Sequence, residues 1–215
     1  MKFRNTETPE WKFKAYFGQY QDEKIINKYL GKDPDKEIGT YVDIGAGDCS
    51  LHSNTYYYYL RNWKGLLVEP FNEACDTIRK YRPEDILEQM AITDYDGTAD
   101  MVMHAIKSSV IGQSYATNEY KDKPNRWYSV PCLTINSLIQ KYPEFKEPDI
   151  CNMDIETNED KALSKCNFDL FRPKIIYIEK EVRKIDYRNQ WEKYLLPYYD
   201  FKEILGGNAL YLRRT

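Results

Sequence analysis

The sequence predicts an α/β fold: a mostly parallel, doubly wound sheet that ends in an antiparallel hairpin. Three observations predict it. Short β-branched runs alternate with helical apolar spacings from residue 41 onward, the first run empties into a glycine turn, and the last two runs flank Gly206-Gly207-Asn208 with no helix between them.

Residues 21–30 carry helical spacing through Ile25, Ile26, Tyr29 and Leu30, stopped by Gly31 and Pro34. Residues 1–36 therefore read as a helical lead-in and 37–215 as one Rossmann-like domain. Residues 41–44 form the first strand, followed by an expected helix at 50–62, a strand at 65–69, a helix at 72–81 and a strand at 86–92. After the turn Asp94-Tyr95-Asp96-Gly97, residues 99–104 read as a short extra strand. Residues 105–128 are polar and aperiodic, the mark of a lid or binding loop. Regular patterns return as a helix at 134–142, a strand at 150–155, a helix at 159–165, a strand at 174–179 and a helix at 189–196. The closing hairpin is expected from residues 201–205 and 209–213. In the run Tyr56 to Tyr59 the rings point to every side of a helical turn, and core packing is the expected use.

With 215 residues, 42% of them hydrophobic, the chain can bury one sizeable core. Its 34 acidic and 31 basic residues are mixed along the chain, which offers nucleic acid no basic groove. No apolar run approaches the roughly 18 residues of a membrane span, and Met1-Lys2-Phe3-Arg4-Asn5 is not followed by an apolar signal core. A soluble, cytoplasmic protein with no membrane or nucleic-acid partner is the expectation. Cys49, Cys75, Cys132, Cys151 and Cys166 lack a C-x-x-C pair and read as reduced thiols. Only His52 and His104 are present, so a three-histidine metal site is excluded.

Tyr41-Val42-Asp43-Ile44-Gly45-Ala46-Gly47 is a strand running into a glycine turn, where open α/β sheets bind ligands. The third glycine of G-x-G-x-x-G is replaced by Ser50, so the dinucleotide fingerprint is incomplete. Asp43 and Asp48 flank the turn; carboxylates there repel a pyrophosphate by roughly 1 to 4 kcal/mol and attract an ammonium. S-adenosylmethionine carries an ammonium and a sulfonium but no phosphate, and suits such a mouth better than NAD or ATP. The run Gly65-Leu66-Leu67-Val68-Glu69-Pro70 places an acid about twenty residues after the turn, the spacing at which a carboxylate accepts hydrogen bonds from ribose hydroxyls. Glu69 is the expected ribose clamp.

Asp43-Ile44-Gly45-Ala46-Gly47-Asp48, Ser53-Asn54-Thr55-Tyr56, Trp63-Lys64-Gly65 and Val68-Glu69-Pro70 together resemble the FkbM family of methyltransferases. The resemblance continues through Arg82-Pro83, Ala91-Ile92, Leu133 to Leu138, Asp154-Ile155-Glu156 with Glu159, Arg172-Pro173 and Ile178-Glu179. It implies a class I methyltransferase fold, S-adenosylmethionine as donor, and O-methylation of sugars, polyketides or related small metabolites. The family places glycine after its D-x-E; here Thr157-Asn158 follow, and the turn after that strand is expected to differ.

Asp154 and Glu156 share one sheet face if their strand runs that far. A carboxylate raised in pKa by burial beside another carboxylate is a competent general base for a hydroxyl acceptor. Asp154 is the expected residue at methyl donor and acceptor, with Glu156 and Glu179 shaping the pocket and His104 as a further candidate base or substrate ligand. Gly45, Ala46, Gly47, Ser50, Pro70, Met90 and Ala91 complete the expected cofactor contacts with Asp43 and Glu69. The spacing does not require a divalent metal, although oxygen ligands at Asp154 and Glu156 would accept one. The expected partner is a small, sugar-like acceptor, bounded by loop residues such as Ser108, Ser109, Trp127 and Tyr128; oligomeric state is not legible. The alternatives are an RNA or protein methyltransferase, for which no basic stripe or appended domain is visible, and a metabolite-binding module without catalysis.

Overall fold

The computed structural model describes residues 22–47, 53–104, 107–110, 126–156, 158–182 and 185–215. Expectations on Asp48, Cys49, Ser50, His52 and Thr157 lie outside the described residues, as do those on the side chains of His104, Ser108, Ser109 and Trp127.

Seven strands form the main sheet: β1 (Thr40–Ile44), β2 (Lys64–Val68), β3 (Ile86–Glu88), β8 (Ile150–Met153), β9 (Ile175–Glu179), β12 (Tyr199–Leu205) and β13 (Asn208–Arg213). Their order is β12-β13-β9-β8-β1-β2-β3, with β13 antiparallel to both neighbours and the other pairs parallel. The chain moves outward from β1 through β2 to β3, then returns to the other side of β1 as β8. The neighbouring ends of β1 and β8 are thus a topological switch point, where a crevice opens.

Alternation in the buried strands divides the core into two layers. Val42 and Ile44 point into one with Leu66, Cys151, Met153, Ile176 and Ile178, under helices Ile135–Lys141, Glu159–Ser164 and Arg188–Leu195. Tyr41 and Leu67 point into the other with Ile150, Ile175 and Tyr177, under helices Asp22–Leu30, Tyr56–Tyr59 and Asn72–Tyr81. The tyrosine run serves this layer: Tyr56, Tyr58 and Tyr59 are buried, and Tyr58 donates to Asn27 Oδ1 at 3.0 Å. Half-buried Tyr57 lies under the Arg61 guanidinium, 3.4 Å from its ring centroid.

Three expectations are corrected. The strand expected at 86–92 is two: β3 stays in the main sheet, while β4 (Ala91–Ile92) joins a second, four-stranded sheet among the described residues. A tight turn in which Met90 N donates to Glu88 O (3.1 Å) breaks the run. The second sheet's other members are β5 (Gly97–His104), β6 (Lys107–Val110) and β7 (Arg126–Leu133), so part of the expected loop at 105–128 is paired strand. The helix expected at 50–62 is a single described turn, Tyr56–Tyr59, because the Ser53 hydroxyl accepts from Tyr56 N (3.2 Å) and holds residues 53–55 outside the helix. Thr134 caps the helix Ile135–Lys141 by accepting from Ser137 N. Among the described residues no helix is long and apolar enough to cross a membrane.

Candidate active site

Gly45 leaves β1 with φ +82°, and a Cβ placed there would sit 1.8 Å from the Asp154 carbonyl oxygen. Both the positive φ and the close approach of backbone to backbone require glycine. The amides of Gly45 and Ala46 both donate to Val68 O, at 2.9 and 3.1 Å, so the turn is tied to the end of β2. Gly47 is also left-handed, φ +59°, and its N–H donates to Glu69 Oε2 at 2.8 Å.

Glu69 lies just beyond β2 and is 6% exposed. Its Oε1 accepts from Phe71 N at 2.8 Å, so one carboxylate fastens the glycine turn to the start of the helix Asn72–Tyr81. Each oxygen keeps a second lone pair for a ligand hydroxyl. Burial pushes Glu69 up to about 7, against the two amide donors that favour its charge; the carboxylates of Asp43 and Asp154 push the same way as burial.

Asp43 is not at the mouth of the turn. It sits beneath it, 1% exposed, with Oδ1 accepting from Asn152 Nδ2 at 2.8 Å and Oδ2 from the Thr55 hydroxyl. Arg82 Nη1 stands 3.8 Å from Oδ2. Burial raises its pKa, and Arg82, Thr55 and Asn152 pull it back. The pattern gives the reason: Asp43 is interior to β1, paired with Asn152, and its side chain points into the tyrosine-rich layer. The acids beside the turn are therefore not Asp43 but Glu69 and those at the ends of β8 and β9, Asp154 and Glu179.

Those acids converge through register. Met153 pairs with Ile178 across β8 and β9, which brings the following residues, Asp154 and Glu179, side by side at the C-terminal ends of the two strands. Burial and then the Asp154 carboxylate hold Glu179 well above the usual carboxylate range, with Glu156 and Glu159 adding to the shift. Beside Asp154 the neutral form of Glu179 is favoured, and its Oε2 is buried without a hydrogen-bond partner among the described residues. The strand stops at Met153, so Asp154 and Glu156 do not share a strand face; Glu156 has φ +56° in the turn that follows. Glu159, 2% exposed, accepts from Ile155 N at 2.9 Å and is pushed by burial to about 8. It closes this turn as a structural acid. Asn158, just past the position where the family places glycine, is buried and donates to Ile92 O at 3.1 Å, joining the turn to the second sheet.

Pro70 is half-buried beside Glu69, and Met90 and Ala91 are buried where the chain passes from β3 to the second sheet. His104 lies elsewhere: its backbone pairs with Lys107 at the far end of β5. Among the described residues no group of three or more His, Cys, Asp or Glu side chains is arranged to hold a metal ion. Sequence reasoning gave no role to Arg82, Asp85, Thr55 or Asn152; an arginine three residues before Asp85 at the end of an amphipathic helix was the available signal.

The donor set fits S-adenosylmethionine. A backbone cradle that a Cβ would fill, a buried carboxylate with unused lone pairs and an unpartnered carboxyl oxygen at Glu179 meet at the switch point. They offer acceptors to hydroxyls and negative charge to a cation and, among the described residues of the site, no counter-charge for phosphate.

A comparison with curated proteins returns no match. Among solved structures the chain is similar to an FkbM methyltransferase from Methylobacillus flagellatus KT, with a TM-score of 0.52 and 14% identity over 81% of this chain and 43% of that one. It is also similar to monomeric WbdD, with a TM-score of 0.51 and 10% identity over 99% of this chain and 45% of that one. The chain spans less than half the length of either, and at these identities the likeness shows the fold. The model of the methyltransferase FkbM domain matches residues 43–206, from the end of β1 into the closing hairpin, and on that match the chain belongs to the FkbM methyltransferase family.

Proposed function

We propose that the chain binds S-adenosylmethionine in the crevice at the ends of β1, β2, β8 and β9 and transfers its methyl group to a hydroxyl of a small, sugar-like acceptor. One observation carries the reading: Gly45 to Gly47, Glu69 and the Asp154–Glu179 pair, distant in sequence, lie together at the ends of β1, β2, β8 and β9, and the charge of Asp154 reaches both Glu69 and Glu179. Bound S-adenosylmethionine supplies an electrophilic methyl group on a positively charged sulfur.

The residues divide the work. Gly45, Ala46 and Gly47 give the backbone close approach, with Ser50 further along the same segment; Glu69 accepts from the ribose hydroxyls; Pro70, Met90 and Ala91 offer apolar contact to the adenine. Asp43 holds the turn from beneath. Asp154 takes the proton of the acceptor hydroxyl, with Glu179 as its neutral hydrogen-bond donor and Glu156 at the pocket's edge. In-line transfer from a good leaving group is accelerated chiefly by positioning, and the chain's task is to orient the acceptor and remove one proton. His104, on the second sheet, is kept as a substrate ligand rather than as the base.

The test is calorimetric titration with S-adenosylmethionine, NAD and ATP, followed by Glu69→Ala. Micromolar binding of the first alone, lost in the variant, is expected. Equal binding of NAD, or unchanged affinity in the variant, would remove the site assignment.

A further inference from the structure

Arg82, at the end of the helix Asn72–Tyr81, is 1% exposed, and its guanidinium donates to four side chains. Nε donates to Asp85 Oδ2 at 2.8 Å, and Nη2 to the Tyr41 hydroxyl at 3.1 Å. Nη2 also donates to Thr55 Oγ1 at 2.9 Å, and Nη1 to Ser53 Oγ at 3.2 Å. Thr55 passes the contact on, since its hydroxyl donates to Asp43 Oδ2. The network has two sides. On the fold side, Asp85 accepts from the Tyr41 hydroxyl (2.9 Å) and from Gly65 N (3.1 Å), locking β1 to β2; a Cβ at Gly65 would strike the Tyr41 ring at 2.1 Å. On the turn side, Asp43 stands just before the glycine turn, and Ser53 and Thr55 follow that turn in sequence.

We propose that Arg82 is a positioning residue for the cofactor turn: acting on Asp43 through the Thr55 hydroxyl, it fixes the end of β1 from which Gly45 to Gly47 present their backbone. The inference rests on the reading that S-adenosylmethionine binds at this turn. A buried guanidinium is desolvated, and removing any acceptor leaves a charged donor unsatisfied, so the turn side cannot relax without cost. The planar fork sets directions as well as charge: four acceptors lie where a compact ammonium cannot reach them together.

The experiment uses the full chain, with calorimetric affinity for S-adenosylmethionine and thermal unfolding read on each variant. Thr55→Val removes the relay hydroxyl and is expected to weaken binding about tenfold, the worth of one hydrogen bond at a charged group. Thr55→Ser restores the hydroxyl and keeps affinity within about twofold of wild type. Tyr41→Phe cuts only the fold side; it lowers the melting temperature and leaves affinity within about twofold. Thr55→Val with wild-type affinity, or Tyr41→Phe weakening binding as much as Thr55→Val, overturns the inference, because the network then only holds the core together. If Thr55→Val does not fold, Ser53→Ala cuts the other turn-side bond and is read in the same way. A wild-type chain that does not bind at all sinks the site reading and this inference with it; binding that Thr55→Val leaves intact sinks this inference alone.

Discussion

Raising the pH from 5.5 to 7.0 is expected to tighten S-adenosylmethionine binding about fifteenfold. Glu69 titrates at about 7 in the unliganded fold because it is buried, and a ribose hydroxyl donates best to its ionised form. With that pKa, roughly 3% of molecules carry the carboxylate at pH 5.5 and roughly half at pH 7.0, and the ratio is the change in affinity. The gap from 4.5 to about 7, at about 1.4 kcal/mol for each factor of ten, means that ionising Glu69 at high pH costs the unliganded fold about 3 kcal/mol. Glu159, at about 8, works in the same direction when a cation arrives nearby, so the slope can only steepen. The ligand's own α-ammonium, near 7.7 to 8.0 in model compounds, stays charged throughout the window. The assay is calorimetry at four pH values, repeated with Glu69→Gln. Each carboxylate oxygen of Glu69 accepts from a backbone N–H, so the amide of Gln sets donor against donor, at a cost of about 1 to 3 kcal/mol, and removes the titration. Affinity that is flat or falls from pH 5.5 to 7.0, or an equal slope in Glu69→Gln, would refute the argument.

Gly45→Ala should destabilise the chain well beyond Gly47→Ala. The first drives a methyl into the Asp154 carbonyl; the second meets open space and carries only the cost of a left-handed alanine, about 1 kcal/mol, a difference that urea denaturation resolves. The unliganded protein should be less stable at pH 9 than at pH 5.5. Glu69 and Glu159 have folded-state pKa values raised above the ordinary 4.5, so their stabilisation is complete below 4.5 and is lost as pH rises through about 7 and about 8; denaturation midpoints that rise over this range contradict it. Once an acceptor is found, Asp154→Asn should lower kcat by about 100-fold or more while S-adenosylmethionine affinity changes little, whereas loss of affinity with kcat kept would make Asp154 a binding residue. Glu179→Gln preserves a donor to Asp154 and should keep most activity, while Glu179→Leu should not; equal activity in both would remove Glu179 from the site.

The sequence by itself determined most of the elements and the spacing of the glycine turn from Glu69. Strand and helix periods are local, so the αβ alternation, the helix Asn72–Tyr81, the closing hairpin and the glycine turn with Glu69 at its set distance were all legible in order. Tertiary structure alone decided the rest. Asp154 and Glu179 meet only because β8 and β9 pair with Met153 opposite Ile178, and a parallel register is set by crossovers that leave no mark on either strand. The strand at 86–92 divides because residues 91–92 pair with β7 rather than β2, a choice that apolar pattern does not encode. The place of Asp43 was decided in the same way: an acid before a glycine turn reads as an exposed charge, but the alternation of β1 and the partner Asn152 put it under the turn, beside an arginine held by another helix. A carboxylate's charge depends on what surrounds it, and its surroundings are a property of packing.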